Sequence, residues 1–96
     1  MRGIRMASPK IIVRKPTAAE RKEAALWGEW SKEPSAFEWS YDEQETCLIL
    51  EGSASVKSKD GSQSVSFGPG DWVVFPAGLQ CVWTISKAIR KKYQFG

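Results

Sequence analysis

Tyr41-Asp42-Glu43-Gln44-Glu45-Thr46-Cys47-Leu48-Ile49-Leu50-Glu51-Gly52 decides the fold. It opens on an acidic corner, runs into an apolar segment and stops at a glycine. From Glu45 to Glu51 both faces are apolar, Cys47 and Ile49 against Leu48 and Leu50. A strand apolar on both sides is central in its sheet, or is covered by a helix or another subunit. Upstream, residues 36–41 alternate, with Phe37, Trp39 and Tyr41 opposite Glu38 and Ser40, which predicts a strand with an aromatic face. Downstream, Gly52 reads as a turn. Ala54 and Val56 then alternate with serines and Lys57, and Asp60-Gly61 predicts a two-residue type I′ hairpin. Val65 and Phe67 mark the returning strand.

The pattern repeats toward the C-terminus. Gly68-Pro69-Gly70-Asp71 predicts a turn, Trp72–Phe75 a strand, and Pro76-Ala77-Gly78 another turn. Cys81, Trp83 and Ile85 share one face of a strand over 80–85. Ile89, Lys91, Tyr93 and Phe95 share one face of a last strand. At the other end, residues 10–14 read as a short strand ended by Pro16. Thr17 and Glu20 form a capping box that starts a helix running to about Leu26 and stopped by Gly28. So short a helix is stable only when laid on the sheet. Trp27 and Trp30 read as the start of an irregular aromatic stretch. About eight short strands with Gly/Pro turns and one minor helix make an all-β sandwich or small barrel.

Ninety-six residues support one domain, 1–96, with its core at about 36–95 and the N-terminal strand and helix at about 10–28. A content of 42% hydrophobic and 26% charged residues argues against disorder. No apolar run approaches the ~20 residues of a membrane span, and no apolar signal region opens the chain, so the expectation is a cytoplasmic protein without a membrane partner. The alternative is an organellar precursor, because the first fifteen residues carry five basic groups and no acid. Two cysteines in such a chain read as free thiols. There is no histidine, which removes the commonest transition-metal ligand and the commonest general base.

Charge is segregated. Arg2, Arg5, Lys10, Arg14 and Lys15 crowd the first fifteen residues, and Lys87, Arg90, Lys91 and Lys92 the last eleven. All 11 acidic residues lie between. The plain reading is that the terminal strands face an acidic surface of the fold or of a partner subunit. Aromatics are not interleaved with these charges, so nucleic acid is not expected.

The glutamate and glycine spacings resemble the cupin superfamily, whose motifs read G-x5-H-x-H-x3–4-E-x6-G and G-x5-P-x-G-x2-H-x3-N. Glu45 and Gly52 keep the first spacing; Gly70, Pro76 and Gly78 keep the second. Trp39-x-Tyr41 with Glu45-x-Cys47-x-Ile49-Leu50-Glu51-Gly52, Gly70-Asp71 and Phe75-Pro76-x-Gly78 is similar to the small single-domain branch related to the cupin domain of ureidoglycine aminohydrolase. The resemblance implies a cupin-type jelly-roll β-barrel, a double-stranded β-helix, with one short N-terminal helix. It also marks what is missing. Trp39 and Tyr41 stand at the first two histidine positions, Cys81 at the third, Ile85 at the asparagine and Glu33 at the opening glycine. Of the usual metal ligands only Glu45 remains, so metal-dependent chemistry does not carry over.

Alternation places Tyr41, Glu45 and Cys47 on one face, and the fold analogy brings Cys81 opposite with Trp83 beside it. The expected ligand-binding residues are therefore Trp39, Tyr41, Glu45, Cys47, Cys81 and Trp83. One reading is a barrel plugged by Trp39 and Trp83; the other is a pocket for a small polar ligand with aromatic walls. A Zn²⁺ site of Glu45, Cys81 and Cys47, or a Cys47–Cys81 disulfide, is a minor alternative; the expectation is no metal and no cofactor. The functional expectation is a metal-independent small-molecule-binding cupin. One alternative is an enzyme, a hydrolase, isomerase or lyase on a small nitrogenous or sugar-like substrate, with Glu45 as base and Tyr41 as acid or electrophilic stabiliser. Another is a structural subunit that docks an acidic partner through basic termini, Lys91 and Lys92 included. Exposed sheet edges and the two-sided strand point to a homodimer.

Overall fold

Two long antiparallel strands carry the architecture. In the computed structural model, which describes residues 10–96, β1 spans Ile12–Arg14, α1 Ala18–Ala24, β2 Gly28–Lys32 and β3 Ser35–Ser40. Next come β4 (Glu45–Ser58), β5 (Ser64–Phe67), β6 (Trp72–Phe75) and β7 (Gln80–Phe95). Strand β4 pairs with β7 from Glu45 opposite Phe95 to Ser58 opposite Cys81. Both strands bend midway, where the register shifts between Ile49 and Ala54.

The bend is centred on Gly52. Its φ is +90°, and a Cβ there would overlap the carbonyl oxygen of Ala88 across the ladder. Only glycine meets both conditions. The sequence reading of Gly52 as a turn is corrected here: the glycine makes a bulge inside one 14-residue strand. The bulge also switches which residues face inward. Glu45, Cys47 and Ile49 are buried before it, and Ala54, Val56 and Ser58 after it. Likewise, the two predicted strands at 80–85 and in the C-terminal stretch are halves of β7.

Bending lets each long strand serve two layers. The first half of β4 pairs with β6, which pairs with β1; the second half pairs with β5. The N-terminal half of β7 pairs with β3 and its C-terminal half with β2. The result is an all-β jelly-roll barrel. Its lumen is filled by residues from both halves, among them Ile49, Val56, Phe67, Val73, Phe75, Trp83, Ile85 and Ile89.

The outer apolar face of β4 has its own cover. Leu48 and Trp72 pack with Ala24 of α1, and Trp27, Leu50 and Val74 complete the cluster. Trp27 and Trp72 lie 5.4 Å apart at 48°. So the two-sided strand is explained within one chain, by the helix. The capping box forms as expected: Glu20 N donates to Thr17 Oγ1 at 3.1 Å, and Thr17 N to Glu20 Oε1 at 2.8 Å. An Arg14–Glu20 ion pair at 2.7 Å ties the helix start to β1.

Two local expectations fail. Gly28 begins β2 instead of ending the helix, and of the expected irregular stretch only Trp27 lies in the turn, while Trp30 is in the strand. Asp60-Gly61 does not form a type I′ turn, which needs positive φ at both central residues; Gly61 has it and Asp60 does not. Instead, residues 59–63 make a longer loop, knotted by Asp60 Oδ1, which accepts from Ser58 Oγ, Ser62 N and Ser62 Oγ.

The segregated charges pair within the chain, at its surface. Lys15 pairs with Asp71 at 2.8 Å, Arg90 with Glu51 at 2.5 Å and Lys92 with Glu29 at 3.6 Å. Lys91, expected on a docking surface, is buried in the lumen. Arg2 and Arg5 lie outside the described residues.

Candidate functional site

A cleft of about 560 Å³ opens between β2, β3 and β7 and reaches the start of β4. Its floor is an ion pair. Lys91 Nζ stands 3.0 Å from Glu45 Oε2, and both side chains are only 6% exposed. The ammonium also lies over the rings of Trp30, at 4.8 Å, and Trp83, at 4.9 Å. Burying one such charge alone would cost several kcal/mol. Here the carboxylate and two aromatic faces compensate it.

Beside the pair sits Tyr41. Trp83 Nε1 donates to its hydroxyl oxygen at 3.1 Å, and its ring stacks on Phe75 at 5.0 Å. Burial, and then the negative charge of Glu45, push the phenol well above its usual range. Tyr41 therefore keeps its proton and can donate it to a ligand atom as a hydrogen bond.

The walls are aromatic. Phe37 stacks on Trp83 at 5.9 Å and 10°, with Trp39 edge-on to Phe37 at 6.4 Å. Tyr93 and Phe95 line the cleft as a second edge-to-face pair, 5.6 Å apart. At the rim Lys32 Nζ lies 5.2 Å over the ring of Phe37, and Glu38 is tied to Lys59 at 2.6 Å.

Of the six residues expected from sequence, Trp39, Tyr41, Glu45 and Trp83 line this cleft. Their roles differ from the plugged-barrel reading: Trp83 fills the lumen against Phe67 and Phe75, while Trp39 stays half-exposed. Cys47 and Cys81 do not line it. Cys47 is fully buried next to the ion pair, and burial pushes its thiol far up despite nearby Lys91. Cys81 Sγ donates to the Trp39 carbonyl at 3.6 Å, and burial, followed by Glu45, raises its thiol to about 11. Both are free thiols.

The sequence reading missed Lys91, Trp30, Lys32, Phe37, Tyr93 and Phe95 as parts of the site. The signal for Lys91 was present: a lysine between Ile89 and Tyr93 on an inward face needs a buried acid. Glu45 is the only buried acid among the described residues.

The residues do not fit the metal that this barrel type usually carries. Indole at Trp39 offers no lone pair, Tyr41 holds its proton, and the Cys81 thiol is protonated at neutral pH. The surviving carboxylate already faces an ammonium. Among the described residues, no three His, Cys, Asp or Glu side chains gather as a metal site.

A jelly roll with a ligand-sized cleft at this position, framed by the cupin spacings, defines a cupin. More closely, residues 19–93 match the EutQ-like cupin domain family, and the chain belongs to that family. It is similar to a DUF861 family protein from Thermotoga maritima, with 40% identity, a TM-score of 0.86, and coverage of 91% of this chain and 100% of that one. A DUF861 family protein of unknown function from Pseudomonas syringae pv. tomato is 27% identical, with a TM-score of 0.63 over 72% of this chain and 29% of its own. The Clostridium difficile EutQ protein shares the fold, with a TM-score of 0.64 at 15% identity over 88% of this chain and 66% of its own. No curated protein matches the sequence.

Proposed function

We propose that this cupin binds a small organic molecule in its cleft and does so without a transition metal. The carrying observation is the Lys91 ammonium 3.0 Å from Glu45 at the cleft floor. A metal cation would have to displace an ammonium held by a carboxylate and two indole rings. The cleft volume falls within the roughly 300–1,000 Å³ of small-molecule sites, and aromatic walls over a few polar groups are the usual lining of such sites. A second reading keeps the same residues for metal-free catalysis on a small nitrogenous substrate, as the motif resemblance to the ureidoglycine aminohydrolase branch suggests. There, Glu45 is the base and Tyr41 the proton donor, two groups that already face one cleft. Docking through basic termini has less support, because Arg14, Lys15, Arg90 and Lys92 are paired within the chain. We take the working unit to be a homodimer, which light scattering of the purified protein checks.

The test combines elemental analysis with ligand screening. The purified protein is expected to hold no stoichiometric zinc, manganese or iron after dialysis. It is also expected to show ligand-dependent shifts of the Trp30 and Trp83 indole N–H resonances in a fragment screen. One equivalent of retained metal, or a diverse fragment library that leaves those resonances unmoved, sinks the proposal.

A further inference from the structure

An aromatic-lined cleft ordinarily suggests a cationic guest, because ring faces attract ammonium groups. Here that role is already filled from within. Lys91 Nζ covers the rings of Trp30 and Trp83, and Lys32 Nζ covers Phe37 at the rim. A second cation could still reach the rings of Trp39, Tyr93 and Phe95, but only beside two positive charges.

The charge balance of the cleft points the same way. Glu45 is matched by Lys91 at 3.0 Å, and Glu38 is matched by Lys59 at 2.6 Å. Lys32 has no carboxylate within ion-pair distance among the described residues, and its ammonium lies over the Phe37 ring. The cleft therefore carries one uncompensated positive charge at its entrance. Tyr41 adds a hydroxyl near the floor whose oxygen already accepts from Trp83, leaving its proton to donate. Lys91 has three N–H donors, and the carboxylate of Glu45 takes one of them. Lys32, Tyr41 and Lys91 thus supply donors between flat ring walls, while the acceptors of the lining, Glu45 and Glu38, are each already bound to a lysine.

We infer that the ligand class is a planar organic anion, a ring-bearing carboxylate whose ring lies between the aromatic walls while its charge meets Lys32. This rests on the cleft being a small-molecule site and adds the sign and shape of the guest. Screening by salt follows, since Lys32 is at the rim.

The test uses three probes of one shape and different charge: 2-naphthoate, 2-naphthamide and 2-naphthyltrimethylammonium. Each is titrated into the full chain and followed through the indole N–H resonances of Trp30 and Trp83. The carboxylate is expected to bind at least tenfold tighter than the amide and the ammonium least of all, with carboxylate affinity falling as salt rises. Lys32→Gln alters an exposed side chain and should leave the fold intact. It is expected to weaken naphthoate by roughly threefold to fivefold, as for one exposed charge contact, and to leave naphthamide unchanged. An ammonium probe that binds as tightly as the carboxylate overturns the inference while leaving the cleft a small-molecule site. So does naphthoate affinity that Lys32→Gln does not change. Silence from all three probes at millimolar concentration also overturns it, and the wider fragment screen then decides the cleft's role separately.

Discussion

Replacing Lys91 by methionine keeps most of the apolar stem, one atom shorter, and removes the charge, stranding Glu45. Both partners are 6% exposed, so water screens the pair little. At 3.0 Å and an effective dielectric near 20 the attraction is about 5 kcal/mol, and desolvation offsets part of it. Removing one partner of a buried pair destabilises by roughly 3–5 kcal/mol, because the other charge stays behind. In a domain of this size that lowers Tm by about 15–30 °C, close to the whole stability of a marginal fold. The double variant Glu45→Gln/Lys91→Met is the informative partner, since it leaves neither charge unpaired. It is expected within about 2 kcal/mol of the wild type, hence more stable than Lys91→Met alone. Urea denaturation followed by tryptophan fluorescence and far-ultraviolet circular dichroism gives the full cycle. If Lys91→Met loses less than about 1 kcal/mol, or the double variant is as unstable as the two single losses added, the pair is not the keystone described here.

Two further outcomes follow from the same geometry. Gly52→Ala should lose more than about 4 kcal/mol or fail to fold, because the added methyl strikes the Ala88 carbonyl at a positive φ. Gly78→Ala has φ +88° but open space around it, so it should lose only about 1–2 kcal/mol; equal losses by urea titration would refute the bulge argument. The Cys81 thiol is raised by burial and by Glu45 from 9.0 to about 11, so the folded chain retains a proton that the unfolded chain releases. Stability from this group is complete below about pH 9 and is lost as pH rises toward 11. Urea midpoints between pH 7.5 and 10.5 should fall with a slope that Cys81→Ala reduces, and an unchanged slope would contradict it.

The sequence exposed the strands where alternation was clean, as at 36–41, or where an apolar run stood between Gly/Pro turns, as at 72–75, and the capping box of Thr17 and Glu20 placed the helix start within a residue. What it hid was length and bending. Gly52 looks like any chain-reversing glycine, because the need for it comes from the Ala88 carbonyl of a strand far along the chain. Asp60-Gly61 is a strong local hairpin signal, yet the Ser58, Asp60 and Ser62 side chains stabilise a wider loop. At the site, Glu45 and Tyr41 were readable from motif spacing. Lys91 was counted with the surface charges because three other basic residues flank it, although its position between Ile89 and Tyr93 marked it as inward. The aromatic wall from β2 was hidden for a related reason: Trp30 gains its partner only when β2 aligns on the far end of β7.

Strand β7 is the common neighbour of β2, β3 and β4. A nascent chain on the ribosome thus carries β2 and β3 with no ladder to join, and β4 paired only with β5 and β6, until residues 80–95 leave the exit tunnel. Residues 80–95 must be made before most of the barrel can close. Any stall or premature stop before residue 80 would release a fragment with β2, β3 and one edge of β4 unpaired, a natural substrate for chaperones and proteases.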